Sequence, residues 1–110
     1  IVELFGADGS CRVGERVTTG REALRTFYSE SVGQQTHKPF IQNHVIELLD
    51  ERHASGRCSV EIRVSRSNGP QTAAGHYFDR YRKEDDHWRF ADREFVAYHF
   101  APWREGWRVD

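Results

Sequence analysis

The sequence predicts an α+β domain in which an amphipathic helix comes early and a long run of antiparallel strands follows. Two observations support this prediction. Apolar residues recur at helical spacing behind residue 22, and from residue 37 onward the period of the apolar pattern changes to two. A helix followed by consecutive strands is the order expected when helices cover one face of an antiparallel sheet.

Length and charge indicate a single domain over residues 1–110, which carries 16 basic and 17 acidic side chains and a net charge of −1. Because the two signs are interspersed, there is no basic field for nucleic acid and no polybasic patch for a membrane surface. No apolar run approaches the roughly 20 residues that span a bilayer. We therefore expect a cytoplasmic domain that binds neither nucleic acid nor membrane, with Cys11 and Cys58 as free buried thiols.

The clearest helix follows residue 18. Thr19 and Glu22 stand in the Ser/Thr-x-x-Glu order of a capping box, in which hydroxyl and carboxylate each satisfy a backbone donor. Leu24 and Phe27 begin an apolar stripe of about three turns, which Gly33 is expected to end. The chain opens on the apolar run Ile-Val-Glu-Leu-Phe without Met or a capped start. We therefore expect residues 1–5 to be the last turn of a helix whose beginning is missing.

Strands are predicted over residues 10–13, 37–50 and 54–65, and a loop over residues 65–71. A hairpin then pairs residues 77–83 with residues 88–96. Its turn has Asp85-Asp86-His87 where Asp-Gly is usual, so a loose loop is expected. Trp103 and Trp107 are expected in a docked tail.

The hairpin also carries a resemblance to a known family. It reads Gly-x-Tyr-x-Asp-x-Tyr from Gly75, then a charged turn, then Trp-Arg-Phe and Arg93, which resembles the last strand pair of SnoaL-like domains in the nuclear transport factor 2-like superfamily. The entry Phe-Gly-Ala-Asp-Gly, the helix start Thr-Gly-Arg-Glu-Ala-Leu and the run Asn-His-Val-Ile from Asn43 extend it over residues 4–100. The resemblance implies a cone-shaped, curved antiparallel sheet wrapped around N-terminal helices and enclosing a pocket. It also implies that this chain lacks the first of those helices.

Function in such domains depends on what lines the cone, because one fold serves many reactions. The resemblance implies either a cofactor-independent lyase or isomerase, such as a dehydratase, acting on a small hydrophobic oxygenated molecule, or a non-catalytic ligand-binding or dimerisation domain. Neither a cofactor nor a metal site is expected. The residues predicted to line the substrate pocket are Phe27, Asn43, Tyr77 and Tyr98.

Two residues are candidates for catalysis. In the dehydratases a His four residues before the Asn is the general base, but Pro39 stands there, and His37 would share its strand face. The Asp that orients this base is expected upstream of Ile1. Asp79 occupies the place where ketosteroid isomerases carry a protonated oxyanion-hole acid. The alternatives are a solvated His37 at the strand entry and an Asp79 paired with Arg93.

The face of the sheet that points away from the predicted pocket is expected to carry polar and aromatic side chains. Because members of the superfamily often pack their sheets face to face, the resemblance implies a homodimer formed through the last three strands.

Overall fold

The structure, a computed structural model, describes residues 1–32, 36–66 and 69–102. A short 3-10 helix at Val2–Leu4 is followed by one α-helix and six strands in the described part of the chain. They are β1 (Phe5–Val13), β2 (Arg16–Thr19), α1 (Arg21–Val32), β3 (Thr36–Leu48), β4 (His53–Arg66), β5 (Gly69–Glu84) and β6 (His87–Pro102). The expected helix end at Gly33 and the tail with Trp103 and Trp107 lie outside the described residues.

The six strands form one mixed sheet in the order β2-β1-β6-β5-β4-β3. Strands β3 to β6 pair antiparallel with their neighbours in sequence, as predicted, and β1 pairs antiparallel with β2, although no strand was predicted over residues 16–19. Strands β1 and β6 are parallel, with Cys11 opposite Arg93. The expectation of a purely antiparallel sheet is therefore wrong. The prediction was based on hairpins, which join strands that are adjacent in sequence, whereas β1 and β6 are separated by most of the chain.

The N-terminal segment differs from its prediction in two respects. Residues 2–4 form a 3-10 helix and the strand begins already at Phe5, five residues earlier than expected. Helix α1 begins at Arg21 after Gly20, whose φ of +91° only glycine adopts readily. The Leu24 amide donates to the Gly20 carbonyl, so Gly20 holds the N-cap position that the capping box would have given to Thr19.

The helix packs on one face of the sheet and forms the core there. Five buried residues make up this cluster, and Tyr28 and Phe90 pack against it: Val2, Phe5, Cys11, Leu24 and Phe27. The Arg21 guanidinium donates to the Phe5 carbonyl oxygen at 3.0 Å, which attaches the start of α1 to β1.

We call the helix-covered face the inner face. On β4 it comprises Ala54, Gly56, Cys58, Val60, Ile62 and Val64, of which Ala54, Cys58, Val60 and Val64 are buried, as the period-two pattern predicts. The other face, with Ser55, Arg57, Ser59, Glu61 and Arg63 on β4, is the outer face. Cys11 and Cys58 are free and buried, as expected.

The β5–β6 hairpin turn is tight, and the expected loose loop is wrong. Glu84 pairs directly with His87, and the two residues between them have positive φ, 49° at Asp85 and 63° at Asp86. Two left-handed residues define a type I′ turn, whose twist matches that of the flanking strands. Asp tolerates this conformation better than most residues, so the turn forms without glycine.

Register shifts within β3 and at two points along β5–β6 bend the sheet. None of the helices in the described residues is long and apolar enough to cross a membrane.

Candidate functional site

The inner face carries a continuous line of polar contacts that extends from β6 to β3. It begins at Arg93 on β6 and continues through Asp79 and Tyr81 on β5. It ends at His44 on β3. We call these four residues the inner-face polar chain.

Its most buried part is an ion pair. Asp79 lies opposite Arg93 in the β5–β6 ladder, and Arg93 Nε is 3.1 Å from Asp79 Oδ1. The side chains are 1% exposed for Asp79 and 12% for Arg93. The contact is ionic but lies outside hydrogen-bond geometry, so among the described residues neither atom has a hydrogen-bond partner. A buried carboxylate oxygen with unused acceptor capacity is a feature that calls for an explanation.

Arg93 is also held by aromatic rings. Its guanidinium carbon lies 3.5 Å from the Tyr77 ring centroid and 4.7 Å from that of Phe90. Such cation–π contacts compensate part of the cost of burying the charge. Arg93 therefore has partners besides Asp79, whereas Asp79 depends on Arg93 and Tyr81.

Tyr81 connects Asp79 with the far strand. Its hydroxyl donates to Asp79 Oδ2 at 3.2 Å and lies 3.1 Å from His44 Nε2. To reach β3 the ring passes over β4 at Gly56, where a Cβ atom would lie only 2.9 Å from the tyrosine ring. The absence of a side chain at Gly56 thus lets Tyr81 extend from β5 across β4 to His44 on β3.

A bulge in β3 presents His44 to the inner face. Gln42 pairs with Ser59 and Val45 with Arg57, so Asn43 and His44 together oppose Cys58. Asn43 has a φ of 53°, the left-handed conformation that Asn tolerates better than most residues. The bulge brings two residues to one inner-face position, and His44 is the one that contacts Tyr81.

Burial dominates the electrostatics of the site. It raises the pKa of Asp79, although Arg93 and the Tyr81 hydroxyl act in the opposite direction. It also raises the pKa of Tyr77 and Tyr81, so both phenols are neutral donors at pH 7. The pKa values of the Cys11 and Cys58 thiols rise for the same reason, which keeps them unreactive.

Beside the polar chain, the inner face of β3 is apolar and exposed. Ile41 opposes Val60, Ile46 opposes Gly56 and Leu48 opposes Ala54, so all three share the inner face. They are about half exposed or more, with Ile46 at 55%. An apolar strip next to a few polar groups is the composition of small-molecule sites.

Of the predicted site residues, Asp79 and Tyr77 lie together through Arg93, and Asn43 forms the bulge beside His44. His37 lies elsewhere. It pairs with Val64 on β4, whereas Asp79 pairs with Gly56 on the same strand. Val64 and Gly56 are eight residues apart, a distance of roughly 25 Å along an extended strand. His37 does share the inner face, but the structure does not bring it to Asp79.

Phe27 and Tyr98 are also apart from the polar chain. Phe27 is in the helix core, edge-on to Tyr28. Tyr98 contacts His76 on the outer face, with its hydroxyl 3.3 Å from His76 Nε2. His76 alternates with Tyr77 along β5, so Tyr98 lies on the side of the sheet opposite Asp79.

The outer face has a concavity of its own, about 680 Å³ in volume. It is lined by two rows of residues that the strand registers align across up to five strands. One row is Arg12, Glu94, Phe78, Arg57 and Val45, and the other is Asp92, Arg80, Ser55 and Glu47. Its side chains are mainly charged and exposed to solvent, and the buried side chains of Arg93 and Asp79 point to the other side.

Sequence reasoning did not select His44, Tyr81 or Gly56 as site residues. A signal was present at Gly56, a glycine in the middle of an otherwise regular alternating strand. At Asn43-His44 the period-two pattern slips by one residue, which indicates a bulge. Both irregularities serve the contact between Tyr81 and His44, and this follows only from the tertiary structure, in which β5 lies beside β4.

No curated protein matches this chain. Solved structures of similar fold include Rv3472 of Mycobacterium tuberculosis, a protein of unknown function. It is 26% identical with a TM-score of 0.80, and the match covers 87% of this chain but 57% of that one. The chain thus spans little more than half the length of that relative.

Two further structures are similar in fold. A candidate scytalone dehydratase from Novosphingobium aromaticivorans is 23% identical, with a TM-score of 0.75 over 99% of this chain and 73% of its own. A hexachlorocyclohexane dehydrochlorinase, LinA type 2, is 19% identical, with a TM-score of 0.74 over 92% and 72%.

The family description SnoaL-like domain matches residues 1–94, which include the entire inner-face polar chain. The resemblance seen in the β5–β6 hairpin is thereby confirmed, and this chain belongs to the SnoaL-like domain family.

Proposed function

We propose that the inner face binds a small, hydrophobic, oxygenated molecule and that the chain is a cofactor-independent lyase or isomerase of the dehydratase type. The observation that carries the proposal is Asp79: a carboxyl group that is almost fully buried, has a raised pKa and keeps unused acceptor capacity. A carboxyl group whose pKa moves toward neutrality is suited to proton transfer or to hydrogen bonding a developing oxyanion.

The surroundings of Asp79 match this chemistry. The neutral phenol of Tyr77 supplies a hydrogen-bond donor, and the strip of Ile41, Ile46 and Leu48 supplies apolar contact. The similar folds of a dehydrochlorinase and a candidate dehydratase support the reaction class. The assignment of His37 as the base stays a prediction from the sequence.

Two adjacent residues allow a matched test of the site. Val45 and Ile46 are β-branched and similarly exposed, at 52% and 55%, but Val45 faces outward and Ile46 inward. We expect β-naphthol to bind saturably to the wild type and to Val45→Asp, and to bind Ile46→Asp at least about tenfold more weakly. Fluorescence titration measures both affinities. Equal affinities for the two variants, or no saturable binding to the wild type, would rule out the inner face as the site.

The alternative is a non-catalytic ligand-binding or dimerisation domain, and the outer face favours a dimer of two copies of this chain. Phe78 and Tyr98 are 45% and 62% exposed there, among charges of both signs. Because acidic and basic side chains share the patch, a copy related by a two-fold axis can pair unlike charges while covering the aromatic rings. Sedimentation at micromolar concentration is expected to show a dimer, and a clean monomer contradicts it.

A further inference from the structure

We infer that His44 is the catalytic base of the inner-face site, and that Tyr81 and Asp79 position it. This inference rests on the proposed function, because it assigns a role within the same site. The observations behind it are the two contacts of the Tyr81 hydroxyl, the bulge at Asn43 and the glycine at position 56.

The direction of the hydrogen bonds follows from donor and acceptor capacity. The Tyr81 hydroxyl donates its single proton to Asp79 Oδ2, on the carboxyl group that also contacts Arg93. The tyrosine oxygen then offers its lone pair to His44, whose Nε2 must carry the hydrogen. The network thus selects one imidazole tautomer.

This tautomer leaves the lone pair of His44 on Nδ1. No hydrogen bond to Nδ1 occurs within the described part of the chain, and the side chain is exposed beside Ile41 and Ile46. A base held in one tautomer, with its other nitrogen open to an apolar strip, has the geometry required to take a proton from a bound molecule.

The local backbone is shaped for this arrangement. Without the extra residue at the bulge, the inner-face position opposite Cys58 would hold a single side chain. Without a glycine at position 56, a side chain would occupy the place where the Tyr81 ring crosses β4. Two backbone features on different strands therefore serve one contact, that of His44 with Tyr81.

A generic proton-abstraction probe tests the role without the natural substrate. In 5-nitrobenzisoxazole a base removes the proton from the ring carbon beside the nitrogen. That electron pair forms a nitrile, the N–O bond breaks and a coloured cyanonitrophenolate is released. The proton would go to His44 Nδ1 and then to water. We expect His44→Gln to lower this rate by about 100-fold, the usual scale of a general base.

Three further variants sharpen the result. Gly56→Ala displaces Tyr81 without removing a titratable group and is expected to lower the rate about tenfold. Tyr81→Phe is expected to abolish the tautomer preference of His44, which nitrogen NMR of the imidazole reads directly as Nε2–H in the wild type. His87→Gln, an exposed histidine at the start of β6, serves as the matched control and is expected to leave the rate unchanged.

The two proposals fail in different ways. If β-naphthol binds at the inner face but His44→Gln keeps the wild-type rate, or the wild type has no rate above buffer, His44 is not the base and the binding site stands. If Tyr81→Phe leaves the tautomer unchanged, Tyr81 does not position His44. If β-naphthol does not bind, the proposed function itself is wrong.

Discussion

The two faces of the same sheet use charged residues in opposite ways. On the inner face one acidic and one basic side chain, Asp79 and Arg93, are almost fully buried and meet at 3.1 Å. On the outer face the charges of neighbouring strands alternate in rows and stay in water. Exposed pairs contribute little to stability, whereas breaking a buried pair leaves an uncompensated charge. A single charge on the inner face therefore affects stability far more than one on the outer face.

The largest expected effect is that of Arg93→Met. It leaves the carboxylate of Asp79 buried without an opposite charge, and we expect the free energy of unfolding at pH 7 to fall by about 3–5 kcal/mol. Urea unfolding measures it.

Two control variants test the explanation. Asp79→Asn is expected to cost much less, because burial already disfavours the ionised carboxyl group and Arg93 retains the rings of Tyr77 and Phe90. On the outer face, Glu94→Gln is expected to change stability by at most about 0.5 kcal/mol. Equal losses for the inner and outer variants would contradict the comparison.

The pH dependence of stability is the next largest effect. Burial raises the folded-state pKa of Asp79 above the ordinary value of 3.8. The folded chain therefore holds this proton more tightly, and the contribution of Asp79 to stability is present below that value and lost as pH rises through the folded pKa. The slope is at most about 1.4 kcal/mol per pH unit.

Without Arg93, which lowers this pKa, the shift grows, so the deficit of Arg93→Met is expected to widen from acidic toward neutral pH. Exposed Asp50 has the opposite sign, because the Arg52 backbone amide lowers its pKa and its contribution is lost as pH falls. Urea unfolding as a function of pH distinguishes a contribution that is lost as pH rises from one that is lost as pH falls. A deficit that shrinks as pH rises would show that Arg93 does not lower the pKa of Asp79.

A smaller effect is expected at the outer face. Phe78→Glu places a charge in the middle of the proposed dimer patch and is expected to raise the dimer dissociation constant at least about tenfold. Sedimentation measures the constant. The inner-face variant Ile46→Asp should associate like the wild type, and a dimer that tolerates Phe78→Glu would place the interface elsewhere.

The smallest effect concerns the β5–β6 turn, which belongs to neither face. Asp86→Gly relieves a left-handed φ of 63° and is expected to stabilise the chain by about 0.5–1 kcal/mol in thermal or urea unfolding. The control is Gly14→Ala in the β1–β2 turn, which introduces a side chain at a left-handed φ of 60° and should destabilise the chain by a similar amount. A loss of stability in Asp86→Gly would mean that the Asp86 side chain itself holds the turn.

Most of the fold could be predicted because it depends on local patterns. The alternation along β4 predicted its buried face, and helical spacing predicted α1 and its apolar stripe. Phe27, which was expected to line the substrate pocket, lies in the core instead. The parallel pairing of β1 with β6 and the N-cap at Gly20 could not be predicted, since one joins distant segments and the other depends on a backbone angle.

The candidate site divides along the same line. Asp79 opposite Arg93 follows from hairpin register, so sequence alone could suggest that pair. The contact of His44 with Tyr81 needs three strands side by side, a bulge that turns two residues to one face, and a glycine that leaves room for a ring. Periodicity reports which face a side chain takes, because it is a property of one strand. Which side chains meet on that face is decided by the register and curvature of strands distant in sequence, and only the tertiary structure contains them.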